Sequence, residues 1–319
     1  MTTPALLKAG DKVAVAAPAR KVSPDEIRPA VDLLKSWQLD VELPSDLYGS
    51  CSQWSGTDKQ RADQMQKLLD DKDIRAIFCA RGGYGTVRIV DRLDFTRFVR
   101  HPKWIVGFSD ITVLHSHVAS ISDVATLHAT MPIDIPADAT SVSYDSVSTM
   151  QQLLFGGSAC YNFTNTMSTA NRPGRACGTI VGGNLSVMYS LLGSVSDVDT
   201  DGKILFLEDL DEYLYHIDRM MTALKRANKL AGLKGLVVGQ ITKMHDNAVP
   251  FGSTAEEIVY NAVREYDFPV AFNAPFGHIG TSNSALMLNH ETELEVGRNQ
   301  ATMKFRHISC NSPEEPIQK

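Results

Sequence analysis

IRAIFCARGGYG (74–85) and, further along, WIVGFSDIT (104–112) decide the architecture. Each opens on a short, continuously apolar run rich in β-branched and aromatic residues. That is how a strand buried on both faces of a parallel sheet reads. Each run ends at glycine and passes toward helical sequence, RGGYG into a helix through Val90 and GFSD into one from about Asp110. Working outward, KVAVAAPA (12–19) is another buried strand. In SPDE (23–26), Ser23, Pro24 and Glu26 form a capping box with proline at the first helical position. DVEL (40–43) is a weaker strand, and a helix from Thr57 carries Met65, Leu68 and Leu69. Strands alternating with helices predict an α/β fold, a mostly parallel sheet with helices on both faces.

The rhythm breaks over 131–175, where MPIDIPADAT and STANRPGRA are rich in proline and small polar residues, with one helix at about 144–155. The division expected is 1–155, a linker over 156–175, and 176–319. The second part repeats the pattern: strands at 176–181, 203–209 and 233–241, helices at 184–192 and 214–230, and a capping box Ser253/Glu256 opening a helix to about Tyr266. SALMLNHETELEV and ATMKFRHI then alternate as antiparallel strands do.

Of 319 residues, 43% are hydrophobic and 21% charged, which is ordinary globular composition. The longest apolar runs, such as ILFL (204–207), fall far short of the ~20 residues that span a bilayer. The N-terminus has no signal-peptide pattern. A net charge of −6 without a basic tract argues against nucleic acid as a partner. Five cysteines, Cys51, Cys79, Cys160, Cys177 and Cys310, form no CxxC pair. Neither a disulfide framework nor a zinc site is expected, and reduced thiols without a signal point to the cytoplasm.

Four places carry possible chemistry. In IVGFSDIT a serine stands on a tight strand-to-helix turn, with the first helical N–H groups beside it. Ser109 there is a nucleophile candidate, although Ser109 or Asp110 as a plain N-cap gives the same pattern, and the second glycine of G-x-S-x-G is missing. RGGYG lies at the carboxyl end of a strand, where open α/β sheets bind ligands; its alternative is a glycine-rich turn. FLEDLDEY (206–213) puts Glu208, Asp209, Asp211 and Glu212 at a strand end, otherwise a solvated acidic turn. NAPFGHIG (273–280) holds His278 on a constrained loop, suited to a general base but also to a surface site. His115 and His117, two apart on a helix, diverge, so no metal is called for. In chain order Ser109, Glu208 and His278 make a complete nucleophile, orienter and base set.

RGGYG (81–85), PKWIVGFSDIT (102–112), CGTIVGGNLSVMYSLLGS (177–194), ILFLEDLDEYLYHIDRMM (204–221), LKGLVVGQIT (233–242) and PVAFNAPFGHI (269–279) together resemble the LD-carboxypeptidase family of serine peptidases, the muramoyltetrapeptide carboxypeptidases. The resemblance runs from about Gly10 to beyond Leu288. It implies a Rossmann- or flavodoxin-like N-terminal domain bearing the serine, and a smaller C-terminal α/β domain bearing the other two residues. It implies catalytic Ser109, Glu208 and His278, with an oxyanion hole from the backbone of Asp110 and of Gly82 or Gly83. The implied reaction releases the terminal D-alanine of a murein tetrapeptide, without cofactor, by a homodimer. The family also holds microcin-C immunity proteins, which cleave aminoacyl-nucleotide analogues. An exopeptidase must bind a free carboxylate, and Arg81 beside the glycines is the nearest cationic candidate. The polar segment 244–257 is a candidate covering loop.

Overall fold

A computed structural model of the chain describes residues 1–157, 160–166 and 171–305. The first part contains β1 (Lys12–Ala16), α1 (Pro24–Ser36), β2 (Asp40–Glu42), α2 (Asp58–Asp70), β3 (Ile74–Cys79), α3 (Thr96–Arg100), β4 (Trp104–Gly107), α4 (Thr112–Ile121), β5 (Thr126–His128) and α5 (Asp145–Phe155). Then follow β6 (Cys160–Thr164), β7 (Gly174–Asn184), α6 (Leu185–Leu191), β8 (Ile204–Leu210), α7 (Leu214–Arg226), β9 (Gly235–Thr242), α8 (Ala255–Val263), β10 (Val270–Ala271), β11 (Leu286–Leu288), β12 (His290–Val296) and β13 (Gln300–Phe305).

Two sheets organise the molecule. The first has the order β11-β5-β4-β3-β1-β2 and is parallel except for β11. The second has the order β10-β9-β8-β7-β12-β13-β6, with β10 to β7 parallel and the remainder antiparallel. The α/β reading holds, as does the Ser23/Glu26 capping box on α1.

Four local expectations shift. Residues 81–90 do not form a helix; Gly85, at φ +141, leads into two short 3₁₀ turns, Thr86–Arg88 and Val90–Arg92. The box on α8 is Thr254 with Glu257, one residue later than expected. The expected linker contains an edge strand, β6, which pairs with β13; its residues 158–159 and 167–170 lie outside the described part. The alternating stretch SALMLNHETELEV is two strands in different sheets. Asn289 separates them at φ +54, its amide nitrogen bonded to the carbonyls of Ser122 and Val124 and its N–H to Ile180. So β11 completes the first sheet although it follows the whole second parallel run.

This return stitches the halves together. One apolar cluster holds Phe78, Trp104 and Leu127 of the first sheet with Ile180, Phe206 and Leu294 of the second. Ser109 follows β4 of the first sheet and Glu208 stands on β8 of the second. No described helix is long and apolar enough to cross a membrane.

Candidate active site

β4 delivers Ser109. Its four residues are all buried, and the chain leaves them through an extended Phe108 into Ser109 at φ +61. A left-handed conformation at a residue with a Cβ is strained and clusters at functional turns. Neither Ser109 nor Asp110 caps the following helical turns through its side chain. The capping explanation for this serine therefore falls.

Gly82 lies against it. A Cβ at Gly82 would stand 3.1 Å from Ser109 Cβ and 3.3 Å from its Oγ, so only glycine lets the loop pass this close without a shift. The amides of Gly82 and Gly83 enter no backbone hydrogen bond among the described residues. Gly83 faces away, under the side chain of Arg20.

Glu208 lies two residues before the end of β8 and is 0% exposed. The β8–β9 register shifts between Leu207 and Asp209, so a bulge sits beside it and re-aims the side chains there. Glu208 Oε2 accepts a hydrogen bond from His278 Nδ1 at 2.7 Å, while Oε1 has no hydrogen-bond partner among the described residues. Glycine permits this contact as well: Gly277 has φ +117, and a Cβ there would meet Glu208 Oε2 at 2.9 Å. Asn283 holds the loop from behind, accepting from the Gly277 N–H at 2.8 Å.

The His278 ring rests on Phe108, centroids 4.8 Å apart, and so stands beside the turn bearing Ser109. No hydrogen bond joins it to Ser109. Burial opposes the imidazolium, but the hydrogen bond and charge of Glu208, with the charges of Asp209 and Asp134, outweigh it and raise the His278 pKa. With Nδ1 engaged by the carboxylate, Nε2 is left to accept a proton. His128 lies behind Phe108, with ring centroids 5.6 Å apart, and burial keeps it neutral.

The acidic run splits by facing. Asp211 and Glu212 pair at the surface with His245 (2.6 Å) and His216 (2.7 Å). Asp209 points inward, opposite to Glu208. It accepts from Asn184 Nδ2 (3.0 Å) and from the Ser186 N–H (2.9 Å), and burial with the neighbouring Glu208 charge pushes its pKa up to about 7. The Asn184 N–H in turn donates to Thr112 Oγ1 at 3.0 Å, at the start of the helix that follows Ser109. A buried chain thus runs from the serine turn to the strand bearing Glu208.

Arg81 forms a 3.7 Å ion pair with Glu26, both half-exposed, and the charge of Asp134 bears on both Arg81 and His278. Arg20 has no ion pair among the described residues. His115 and His117 are both structural: His115 bonds Thr126 and the Gly107 carbonyl, and His117 bonds Ser196. No group of three or more His, Cys, Asp or Glu suited to a metal occurs among the described residues. Of the segment 244–257, residues 244–254 form a largely exposed loop whose Asp246 carboxylate accepts from the Asn247 and Phe251 N–H groups, and 255–257 begin α8.

The geometry therefore brings together Ser109, Gly82, Glu208 and His278, with Arg81 at the margin. Sequence reasoning missed Arg20 and Asp134, and it named Asp209 and Asp110 without the buried contacts of their side chains. One signal was present: GGN before a helix marks Asn184 as an N-cap, which it is.

Residues 13–129 match the LD-carboxypeptidase N-terminal domain and residues 177–294 the LD-carboxypeptidase C-terminal domain. The chain belongs to the LD-carboxypeptidase family. A relative from Bacillus subtilis (strain 168), named a probable murein peptide carboxypeptidase, is 35% identical over 240 residues, 74% of this chain and 73% of the relative. The crystal structure of muramoyltetrapeptide carboxypeptidase from Oxalobacter formigenes superposes with a TM-score of 0.81 at 23% identity, covering 92% of this chain and 98% of that chain. The microcin C7 self-immunity protein MccF, in complex with aspartyl sulfamoyl adenosine, also gives 0.81, at 18% identity and 97% and 100% coverage. At those identities the two structures speak to the fold, which is the two-sheet arrangement described above.

Proposed function

We propose that this chain is a serine carboxypeptidase that hydrolyses the L,D-peptide bond before the terminal D-alanine of a murein tetrapeptide. The observation that carries the reading is the 2.7 Å Glu208–His278 pair set beside the strained Ser109 turn.

In this mechanism Ser109 Oγ attacks the scissile carbonyl while its proton passes to His278 Nε2. Glu208 fixes the ring's tautomer and stabilises its charge. His278 is hydrogen-bonded to this fully buried carboxylate, so the imidazolium is favoured as it forms. The tetrahedral oxyanion is received by the Asp110 N–H and by the 82–83 backbone, where Gly82 is the residue packed on the serine. Collapse expels D-alanine, whose amine takes the proton from His278. Water, deprotonated by His278, then cleaves the acyl ester on Ser109 and frees the tripeptide. The chain supplies nucleophile, base and orienter, so this chemistry needs no cofactor. Arg81, with Arg20 on the other side of the glycines, offers positive charge for the substrate's C-terminal carboxylate. The reading includes a cytoplasmic homodimer; Cys51, Cys79 and Cys160 are free thiols, in keeping with a reducing compartment.

A second reading, hydrolysis of an aminoacyl-nucleotide analogue, draws on the equal fold likeness to MccF. Mass spectrometry of one panel separates the two: tetrapeptides ending in D-alanine, L-alanine or D-alaninamide, and an aminoacyl sulfamoyl adenosine. The proposal expects alanine release from the D-terminated acid alone, with the preference for acid over amide weakened in Arg81→Gln. Cleavage of the nucleotide analogue with the peptides intact would replace it by the second reading. Equal cleavage of acid and amide by the wild type would remove the carboxylate role of Arg81.

A further inference from the structure

The Asp110 carboxylate is 3% exposed, yet it takes no part in the steps above, which use only that residue's backbone N–H. Its Oδ2 accepts a hydrogen bond from the Thr86 N–H at 2.9 Å, at the far end of the glycine-rich segment. The carbonyl of that same peptide unit, Gly85 C=O, accepts from Arg61 Nη1 at 2.9 Å. Arg61 is equally buried, donates to the Pro18 carbonyl as well, and is paired at 2.5 Å with Asp58, which Arg88 also bonds at 2.8 Å. One peptide plane, Gly85–Thr86, is therefore gripped from both sides by buried side chains of opposite charge.

We infer that the Asp110 side chain is a positioning residue for the oxyanion hole, locking the segment 82–86 to the turn that bears Ser109. The physical need is clear. The two proposed sets of oxyanion donors lie on different loops, and a glycine-rich loop has little conformational preference of its own. Donors aimed at a developing charge stabilise it only if they are held in place beforehand. Asp110 joins the loops through one residue, its own N–H serving one half while its carboxylate holds the other. Burial pushes the Asp110 pKa up, the Thr86 and Gly85 amides oppose that shift, and the positive charge of Arg61 adds to them. The Asp110 side chain and its partners form one connected polar unit inside the domain.

This inference rests on the proposed serine chemistry, and its test separates the two. Wild type, Asp110→Ala and Asp110→Asn are compared in two assays: D-alanine release from the tetrapeptide, and the rate at which a fluorophosphonate labels Ser109, followed by peptide mass mapping. Phosphonylation needs the nucleophile and the oxyanion donors but not the natural substrate. Both rates should fall about 10²–10³-fold in Asp110→Ala, the size of losing one oxyanion donor, with KM changed less than about threefold. Asp110→Asn keeps an acceptor for Thr86 and should recover part of the loss. If Asp110→Ala fails to fold, Asp110→Asn decides, with a reduced labelling rate in a folded protein as the supporting result. Labelling within about threefold of wild type in a folded variant, or a loss carried by KM alone, overturns the inference. A wild type that is labelled at Ser109 but leaves the tetrapeptide intact would defeat the substrate assignment, and the labelling ratios would still judge Asp110. A wild type unlabelled at Ser109 overturns both.

Discussion

Everything that sets the serine side of the site lies close in sequence. Asp110 reaches Thr86 across 24 residues, and Arg61 reaches Gly85 across another 24. The strand, the strained turn and the glycine loop belong to adjacent β–α units of one sheet. The base side is assembled from further apart: Glu208 and His278 are 70 residues from one another, on a bulged strand and a loop, and neither lies in the first sheet. The two sides also differ in polar satisfaction. Charged groups grip the serine side from several directions, whereas among the described residues Glu208 Oε1 has no hydrogen-bond partner and Oε2 is bonded to His278. The serine side is built for fixed geometry. Under the proposed mechanism the base side strengthens one proton transfer.

This contrast can be broken by substitution. The largest effect belongs to His278→Ala, which removes the base from a loop whose packing depends on Gly277 and Asn283 rather than on the ring. We expect kcat to fall by roughly 10³-fold or more, together with a lower thermal unfolding temperature because Glu208 is left buried without its partner. A loss below about tenfold would show that another group takes the serine proton. Glu208→Gln comes next, with a fall of roughly 10²–10⁴-fold through the wrong tautomer and lost charge stabilisation. It also carries a pH signature. Glu208 raises the His278 pKa against burial, so its loss lets burial prevail and moves the acid limb of kcat/KM to lower pH. A limb that stays in place, or moves up, would mean that Glu208 is not the partner sensed in solution.

The join between the halves should matter less to chemistry than to stability. Thr112→Val keeps the shape of a fully buried side chain but leaves the Asn184 N–H without its acceptor. The expected cost is about 1–3 kcal/mol in denaturant unfolding, with kcat/KM reduced less than about tenfold. Unchanged stability would mean that the Thr112–Asn184–Asp209 chain does not bind the sheets together. The smallest effect is Asp134→Asn. Its charge raises the His278 pKa, so the variant should shift the acid limb slightly toward lower pH with little change in the plateau rate.

What the sequence disclosed follows the same division. GFSD and RGGYG are local patterns, and the turn and loop they describe exist, although the strain at Ser109 is visible only as a dihedral angle. The order serine, glutamate, histidine was readable, but the contact between the last two depends on a bulge and on Gly277, which no periodicity announces. FLEDLDEY reads as one acidic run, yet alternation along β8 aims Glu208 and Asp209 at opposite faces and leaves Asp211 and Glu212 to the surface. SALMLNHETELEV reads as continuous strand pattern, and its transfer between sheets turns on a single residue, Asn289. Helical sequence after RGGYG was a reasonable expectation that tertiary contacts override, because Arg61 and Asp110 hold the Gly85–Thr86 peptide in another conformation.

The central claim is that Ser109 and His278 act as one unit on an L,D-peptide bond. Its most direct measurement is kcat for D-alanine release by wild type, Ser109→Ala, His278→Ala and the double variant on one tetrapeptide. The account predicts that each single change abolishes nearly all of the activity and that the double variant is no worse than either, as for residues that serve a single step. Ser109→Ala retaining more than about a tenth of the wild-type rate, a loss under ~1.4 kcal/mol of transition-state stabilisation, would contradict it.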